Sequence, residues 1–257
     1  MAIDTATRTG ARIETFEALG STNEEALARA RHGERGSMWI SARRQTAGRG
    51  RRGRSWVSET GNLYASLLLT DPCPADRAAE LSFVAALAVH DAIVEVAPAL
   101  GPRLTLKWPN DVLIDGAKVA GILVEGESIG GALAVAIGIG VNCASHPAET
   151  SYPATDLAAA GGAVTTDSLL SALARTTTAR LAQWDRSTGF ASIRADWLKR
   201  AGGLGGDIRI VVGAREAAGR FETLDERGRL VLRRADGSTE VLGAGEVFPA
   251  LAEDRRS

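Results

Sequence analysis

Leu104-Thr105-Leu106-Lys107-Trp108-Pro109-Asn110-Asp111-Val112-Leu113-Ile114-Asp115-Gly116-Ala117-Lys118-Val119-Ala120-Gly121-Ile122-Leu123-Val124 is a set of short apolar runs broken once by a Trp-Pro corner and once by Asp-Gly. Asp115-Gly116 is a two-residue turn signal, so Val112 to Ile114 is predicted to pair with Lys118 to Val124 as a hairpin. Leu104 to Lys107 reads as a strand before it, and Leu133 to Asn142 as another beside it. The stretch therefore supplies the antiparallel centre of a mixed sheet.

Outward from this centre, Arg12 to Phe16, Met38 to Ala42 and Leu63 to Leu69 read as strands. Ser21-Thr22-Asn23-Glu24 opens a helix to about Arg31. Ser21 with Glu24, and Thr22 with Glu25, fit the capping box, in which a hydroxyl and a carboxylate satisfy orphan amides. Ala78 to Val96 carries apolar residues at helical spacing and is stopped by Pro98 and Gly101. Thr166-Asp167 caps a helix from Ser168 to about Asp185, and Ala191 to Arg200 continues helical after Gly189. The fold class is α+β: a mixed, mainly antiparallel sheet with helices packed on it.

Gly202-Gly203-Leu204-Gly205-Gly206 has the composition of a linker. Beyond it Asp207 to Val212, Ala217 to Leu224, Arg229 to Arg233 and Ser238 to Leu242 alternate between turns, which predicts a small closed β-barrel. The expected domains are 1–203 and 204–257.

With 257 residues, 45% of them hydrophobic, the chain can bury a sizeable core. Lys plus Arg number 30 against 31 Asp plus Glu, a formal charge of -1, so no global field draws it to nucleic acid or membrane. Cys73 and Cys143 stand in no metal-ligand spacing, and so few thiols point to a reducing, cytoplasmic compartment. MAIDTATRTGARIE lacks an apolar leader core, and no apolar run reaches the roughly 20 residues of a membrane helix. His32, His90 and His146 pair with no metal-binding or nucleophilic partner in sequence, and no metal-ligating residue is assigned.

Gln45-Thr46-Ala47-Gly48-Arg49-Gly50-Arg51-Arg52-Gly53-Arg54-Ser55-Trp56 crowds guanidinium groups among glycines. Like charges repel and glycine adds to the entropy lost on ordering, so the segment is expected to stay mobile until an anion arrives. Arginine grips phosphate oxygens through a planar fork, and glycines let backbone amides approach the same oxygens. Composition alone leaves three readings open: a phosphate clamp, a nucleic-acid contact, or a solvated basic loop. A dinucleotide fingerprint is excluded, because Trp56 to Gly61 is turn-like and a strand, not a helix, follows.

Lys107-Trp108-Pro109-Asn110-Asp111, with Lys118 and Gly121 on the next strand, concentrates charge at the edge of an apolar sheet. Gly121, Gly138 and Gly140 lie within apolar strands, where glycine often marks close approach by a ligand or another backbone.

Gly48-Arg49-Gly50-Arg51-Arg52-Gly53-Arg54, Lys107-Trp108-Pro109-Asn110-Asp111 and Gly116-Ala117-Lys118-Val119-Ala120-Gly121-Ile122-Leu123-Val124-Glu125, in that order, resemble biotin protein ligases. Ser21-Thr22-Asn23, Asn62-Leu63-Tyr64 and Gly138-Ile139-Gly140-Val141-Asn142 extend the likeness over Arg12 to Ala250. The resemblance implies a class II synthetase-like ligase domain with an SH3-like barrel. It implies ATP and biotin as substrates, Mg²⁺ as the accompanying cation, and biotinyl-5'-AMP as the intermediate. A lysine of a biotin carboxyl carrier domain of acyl-CoA carboxylases would be the acceptor.

By the same resemblance, Lys118, Arg51 and Asp111 are catalytic. Ser21, Thr22, Asn23, Gln45, Arg49, Gly50, Arg51, Lys118 and Gly121 hold biotin. Arg49, Arg51, Arg52, Arg54, Trp56, Lys107, Asn110, Lys118 and Asn142 hold the adenylate. The 20 residues before Ser21 are too few for the helix-turn-helix domain of repressing members, so no DNA binding is expected. The chain is expected to be a monomer or weak homodimer without membrane contact. The rivals are a lipoate or octanoate ligase of the same superfamily, whose glycine-rich histidine motif is missing, and a nucleic-acid-binding module built on the Arg/Gly loop.

Overall fold

In the computed structural model, which describes residues 3–4, 12–150 and 152–249, the elements run β1 (Ile3–Asp4), β2 (Ile13–Phe16), α1 (Thr22–Arg31), β3 (Met38–Ala42), β4 (Leu63–Thr70), α2 (Leu81–Val96), β5 (Leu104–Lys107), β6 (Asp111–Ile114), β7 (Ala117–Ile129), β8 (Ala132–Val141), α3 (Thr166–Trp184) and α4 (Phe190–Leu198). Then follow β9 (Asp207–Val212), β10 (Arg215–Leu224), β11 (Leu230–Arg233), β12 (Thr239–Leu242) and β13 (Glu246–Pro249). The leaderless reading of the first fourteen residues, and the outer ends of the two expected domains, fall largely outside the described residues.

The first eight strands form one sheet in the order β1-β2-β3-β4-β8-β7-β6-β5, antiparallel except for β2 against β3. The Asp-Gly hairpin is present, with Asp115 at φ 49° and Gly116 at φ 80°, the left-handed pair that a tight two-residue turn requires. A strand exposes alternate residues to opposite faces. Met38, Ile40, Leu68, Ala134 and Ala136 accordingly pack with Ala26, Leu27 and Ala30 of α1. Trp39, Leu67, Val135 and Ile137 face the other way, into the core shared with α2, α3 and α4.

Parity then decides where polar groups go. Ser66, Gly138 and Gly140 share the face of α1, and pairing carries that face across to Gly121, Leu123, Glu125 and Asp111. The site is built there, past the N-terminal end of α1.

Two local expectations differ from the structure. Ser21 makes no side-chain cap at α1. Instead Gln45 Oε1 accepts from the Thr22 amide at 2.8 Å, so a residue of the Arg/Gly loop stem does the capping. Helix α3 is capped by Thr165, whose hydroxyl accepts from the Ser168 amide at 3.2 Å, one residue before the expected position.

The C-terminal strands correct the barrel. They form an open sheet in the order β12-β11-β10-β9-β13, and its two edges are not paired with each other among the described residues. The sequence pattern supplied four strands and missed β13. Three of the five strands span only four residues, too short to tilt and stagger into a ring. The SH3-like closed barrel is therefore absent among the described residues. The open sheet buries Ile208, Ile210, Phe221 and Leu230 in the same cluster as Phe83, Trp108 and Phe190. Trp108 Nε1 donates to Gly228 O at 3.0 Å across this seam.

Candidate active site

The Arg/Gly loop folds back over the α1 face of the sheet and encloses a cavity of about 450 Å³. Ser21, Thr22, Asn23, Gln45, Arg49, Gly50, Arg51, Arg54, Trp56, Lys107, Asn110, Asp111, Lys118, Gly121 and Asn142 all line it. Arg52 does not. It sits at φ 58° on the loop's outer side, exposed.

One end of the cavity is cationic. Lys118 Nζ lies 2.6 Å from Asp111 Oδ1, and Lys107 Nζ lies 3.8 Å from Asp111 Oδ2. Lys107 is buried beneath Tyr152, its Nζ 3.5 Å from the ring centroid, with Phe248 behind at 5.6 Å. Burial pushes its ammonium down to about 8, Asp111 acting in the opposite sense. Arg51 donates to Asn110 Oδ1 at 3.2 Å and toward Gly245 O at 3.5 Å. Its guanidinium is held below its usual range by burial, and then by the charge of Arg52.

Arg54 pairs with Glu246 of β13 at 2.8 Å. Burial of Glu246 works against its charged form, but the Arg54 hydrogen bond and nearby cations outweigh it, so the carboxyl stays below the usual range.

The other end is lined by neutral side chains joined by hydrogen bonds. Gln45 Oε1 accepts from Thr22, and Gln45 Nε2 donates to Ser58 Oγ at 3.0 Å. Ser66 Oγ donates its one proton to Asn23 Oδ1 at 2.6 Å and lies 2.7 Å from the Thr22 hydroxyl. Asn23 Nδ2 donates to Leu123 O at 3.2 Å and to Glu125 Oε2 at 2.7 Å. Such a wall presents fixed donors and acceptors to a neutral polar head group, whose burial demands matched partners.

The strand glycines are filled by the protein itself. A Cβ on Gly140 would come within 2.7 Å of the Trp56 indole, and one on Gly121 within 2.9 Å. On Gly138 it would collide with Asn23 Oδ1. The Trp56 indole N–H is buried without a partner among the described residues.

Asn142 is held by the segment that follows it: Nδ2 donates to Thr155 O at 3.0 Å. The Lys118 backbone pairs with the same segment through Pro153 and Thr155. Sequence reasoning missed Tyr152, Glu246, Ser66 and Glu125. Tyr152 and Glu246 carry no periodic or motif signal, and Ser66 was a single serine in an apolar run. Glu125 closed a quoted motif as the one acid among aliphatic residues, a signal that was there to be used.

Among the described residues no group of three or more His, Cys, Asp or Glu side chains is placed to hold a metal ion. No helix there is long and apolar enough to cross a membrane.

The chain matches the Biotin/lipoate A/B protein ligase family over residues 17–142 and the Biotin protein ligase C terminal domain over 203–248. It is 47% identical to a biotin--[acetyl-CoA-carboxylase] ligase of Paracoccus denitrificans, across 89% of this chain and 96% of that protein. It is 34% identical to the enzyme of the same name from Mycobacterium tuberculosis, across 92% and 88%. The solved biotin protein ligase from Aquifex aeolicus in complex with biotin and ATP superposes with a TM-score of 0.73, at 28% identity, covering 92% of this chain and 97% of that one. These likenesses run through both the large sheet and the C-terminal strands, and the chain belongs to the biotin protein ligase family.

Proposed function

We propose that this chain is a biotin–[acetyl-CoA-carboxylase] ligase working in two steps within the cavity. The observation that carries this reading is the polarity of the site: a neutral hydrogen-bonding wall at one end, and Lys118, Lys107 and Arg51 around the other.

In the first step the biotin carboxylate attacks the α-phosphorus of ATP. A carboxylate–phosphorus bond forms and the bond to pyrophosphate breaks. Both reactants are anionic, so fixed cations that offset their repulsion lower the barrier. Lys118 bridges carboxylate and α-phosphate, with Asp111 fixing its ammonium. Arg49, Arg51 and Arg54 surround the phosphate from the loop, and Lys107 and Asn110 from the sheet. Ser21, Thr22, Asn23, Gln45 and Gly50 border the ureido head and Gly121 the chain, while Trp56 and Asn142 border the nucleotide. Arg52, on the outer side, takes no direct part.

In the second step the amine of a carrier-domain lysine attacks the acyl carbon. The amide bond forms, the bond to phosphate breaks, AMP leaves, and the amine proton is lost. Loop closure keeps water from the anhydride until the acceptor arrives.

Mg²⁺ would reach the site on the triphosphate, since it prefers phosphate oxygens and retained water to dedicated protein cages. Asp111 is engaged by two lysines and Glu246 by Arg54, so neither of these carboxylates is free to hold a resident metal ion. The ligase unit is read as 1–203 and the C-terminal unit as 204–257. The protein is read as cytoplasmic, a monomer or weak homodimer.

The test is ATP–pyrophosphate exchange with biotin or lipoate as the acid. Exchange that depends on biotin is expected. Exchange with lipoate alone, or none with either, overturns the reading.

A further inference from the structure

Glu125 ends the strand motif that carries Lys118 and Gly121, yet it does not line the cavity. It stands on the site face of β7 and holds two site residues at once. Its Oε2 accepts from Asn23 Nδ2 at 2.7 Å and from Arg49 Nη2 at 3.2 Å; its Oε1 accepts from Arg49 Nε at 3.1 Å. Asn23 opens α1 beside the neutral wall, and Arg49 opens the Arg/Gly loop. Glu24 approaches Arg49 only at 3.5 Å and is itself engaged by Arg31 at 2.9 Å, so Glu125 is the principal partner.

We propose that Glu125 is a positioning residue that ties the head-group wall to the loop. One carboxylate sets which end of the Asn23 amide faces Ser66 and which faces β7, and at the same time forks the Arg49 guanidinium so that the loop's first turn lies against the cavity. Charge-assisted and bidentate bonds of this kind fix orientation as well as adding energy. With Glu125 removed, the Asn23 amide is free to flip and the loop loses its anchor on the sheet. This inference rests on the ligase reading above, in which Asn23 borders biotin and the loop covers the adenylate.

Glu125→Gln is the sharp variant because it is nearly isosteric. Glutamine offers one acceptor oxygen and one NH₂, so whichever way it turns, a donor meets either Asn23 Nδ2 or Arg49. Two quantities are read on the folded enzyme, with wild type alongside: KM for biotin in ATP–pyrophosphate exchange, and the rate at which preformed biotinyl-AMP leaves. We expect Glu125→Gln to raise KM for biotin more than it lowers kcat, and to speed release by ~10-fold, with Glu125→Asp recovering part of both. Glu125→Ala and Arg49→Gln should be non-additive in release, as residues sharing one contact are.

Wild-type values of KM and release in Glu125→Gln, or strict additivity with Arg49→Gln, would overturn the proposal. A wild-type enzyme without biotin-dependent exchange would instead strike the ligase reading. If Glu125→Ala does not fold, Glu125→Gln and Glu125→Asp decide.

Discussion

Asp111 Oδ1 lies 2.6 Å from Lys118 Nζ across the β6–β7 pair, and its second oxygen faces Lys107 at 3.8 Å. One half-buried carboxylate thus sets the direction of two ammonium groups. Removing that charge takes away their shared anionic partner and leaves Lys107 only its Tyr152 and Phe248 rings and Lys118 only the Trp56 ring. Asp111→Asn should slow both half-reactions by ~10–100-fold, because orientation of a charged group, and not its presence alone, stabilises developing charge. Separate exchange and single-turnover transfer assays check this; wild-type rates in both would remove the role of Asp111.

Lys118→Gln keeps the side chain's bulk but loses its charge. Its kcat/KM for exchange should fall by ~10²–10³, or about 3–4 kcal/mol of transition-state stabilisation. A fall in affinity alone, with kcat intact, would mean that Lys118 binds substrate without assisting the reaction.

Lys107 gives a pH dependence. Its ammonium is pushed down to about 8 by burial. It is charged below that value and neutral above it, so KM for ATP should rise as pH climbs through about 8. Lys107→Arg, always charged, should flatten the rise. Stability runs the other way. The unfolded chain holds this proton up to the ordinary 10.5. Unfolded molecules therefore bind more protons between the two values, and Lys107's burial penalty fades as pH rises through that window. KM measured from pH 7 to 9 in both proteins decides the first point.

Arg51 bridges the loop to Asn110 and to the backbone of Gly245. Arg51→Gly should free the loop from both, so that biotinyl-AMP escapes and labels nearby lysines without selection. An unchanged rate of release of the intermediate would count against the loop as its cover.

The strand glycines make a structural prediction. Gly138→Ala drives a methyl into Asn23, and Gly140→Ala into the Trp56 indole. Each should cost ~1–3 kcal/mol in stability by overpacking. Gly138→Ala should raise KM for biotin, whereas Gly140→Ala should shift the emission of Trp56. Thermal melts, exchange kinetics and fluorescence separate the two.

Much of the catalytic sheet was legible because its signals are local. Asp115-Gly116 fixes a turn, the alternation of Arg12 to Phe16 marks a half-buried strand, and the apolar runs Met38 to Ala42 and Leu133 to Asn142 mark buried ones. Every lining residue expected except Arg52 came together, since the motifs that carry them sit at the edges of strands already read. Arg52 failed because charge density says nothing about which side of a loop an arginine takes. The glycines were read as marking close approach by a ligand or another backbone; indole and carboxamide side chains of the chain itself come close there, which no strand pattern reveals. The closed barrel failed for a longer-range reason: alternation shows that strands exist, while closure depends on strand length and stagger. β13, four residues after two glycines, also carried too little pattern to be seen. Tyr152 and Glu246 were invisible, because each reaches the site from a segment distant in sequence.

Everything catalytic above depends on cations from a loop and from a sheet meeting at one acyl phosphate. The most direct measurement is a crystal structure of the protein with a non-hydrolysable biotinyl-AMP analogue. The account predicts Lys118 Nζ and the Arg51 guanidinium within hydrogen-bond reach, ~3 Å, of the phosphate or acyl oxygens. Either group turned outward into bulk water, with the analogue bound, would contradict it.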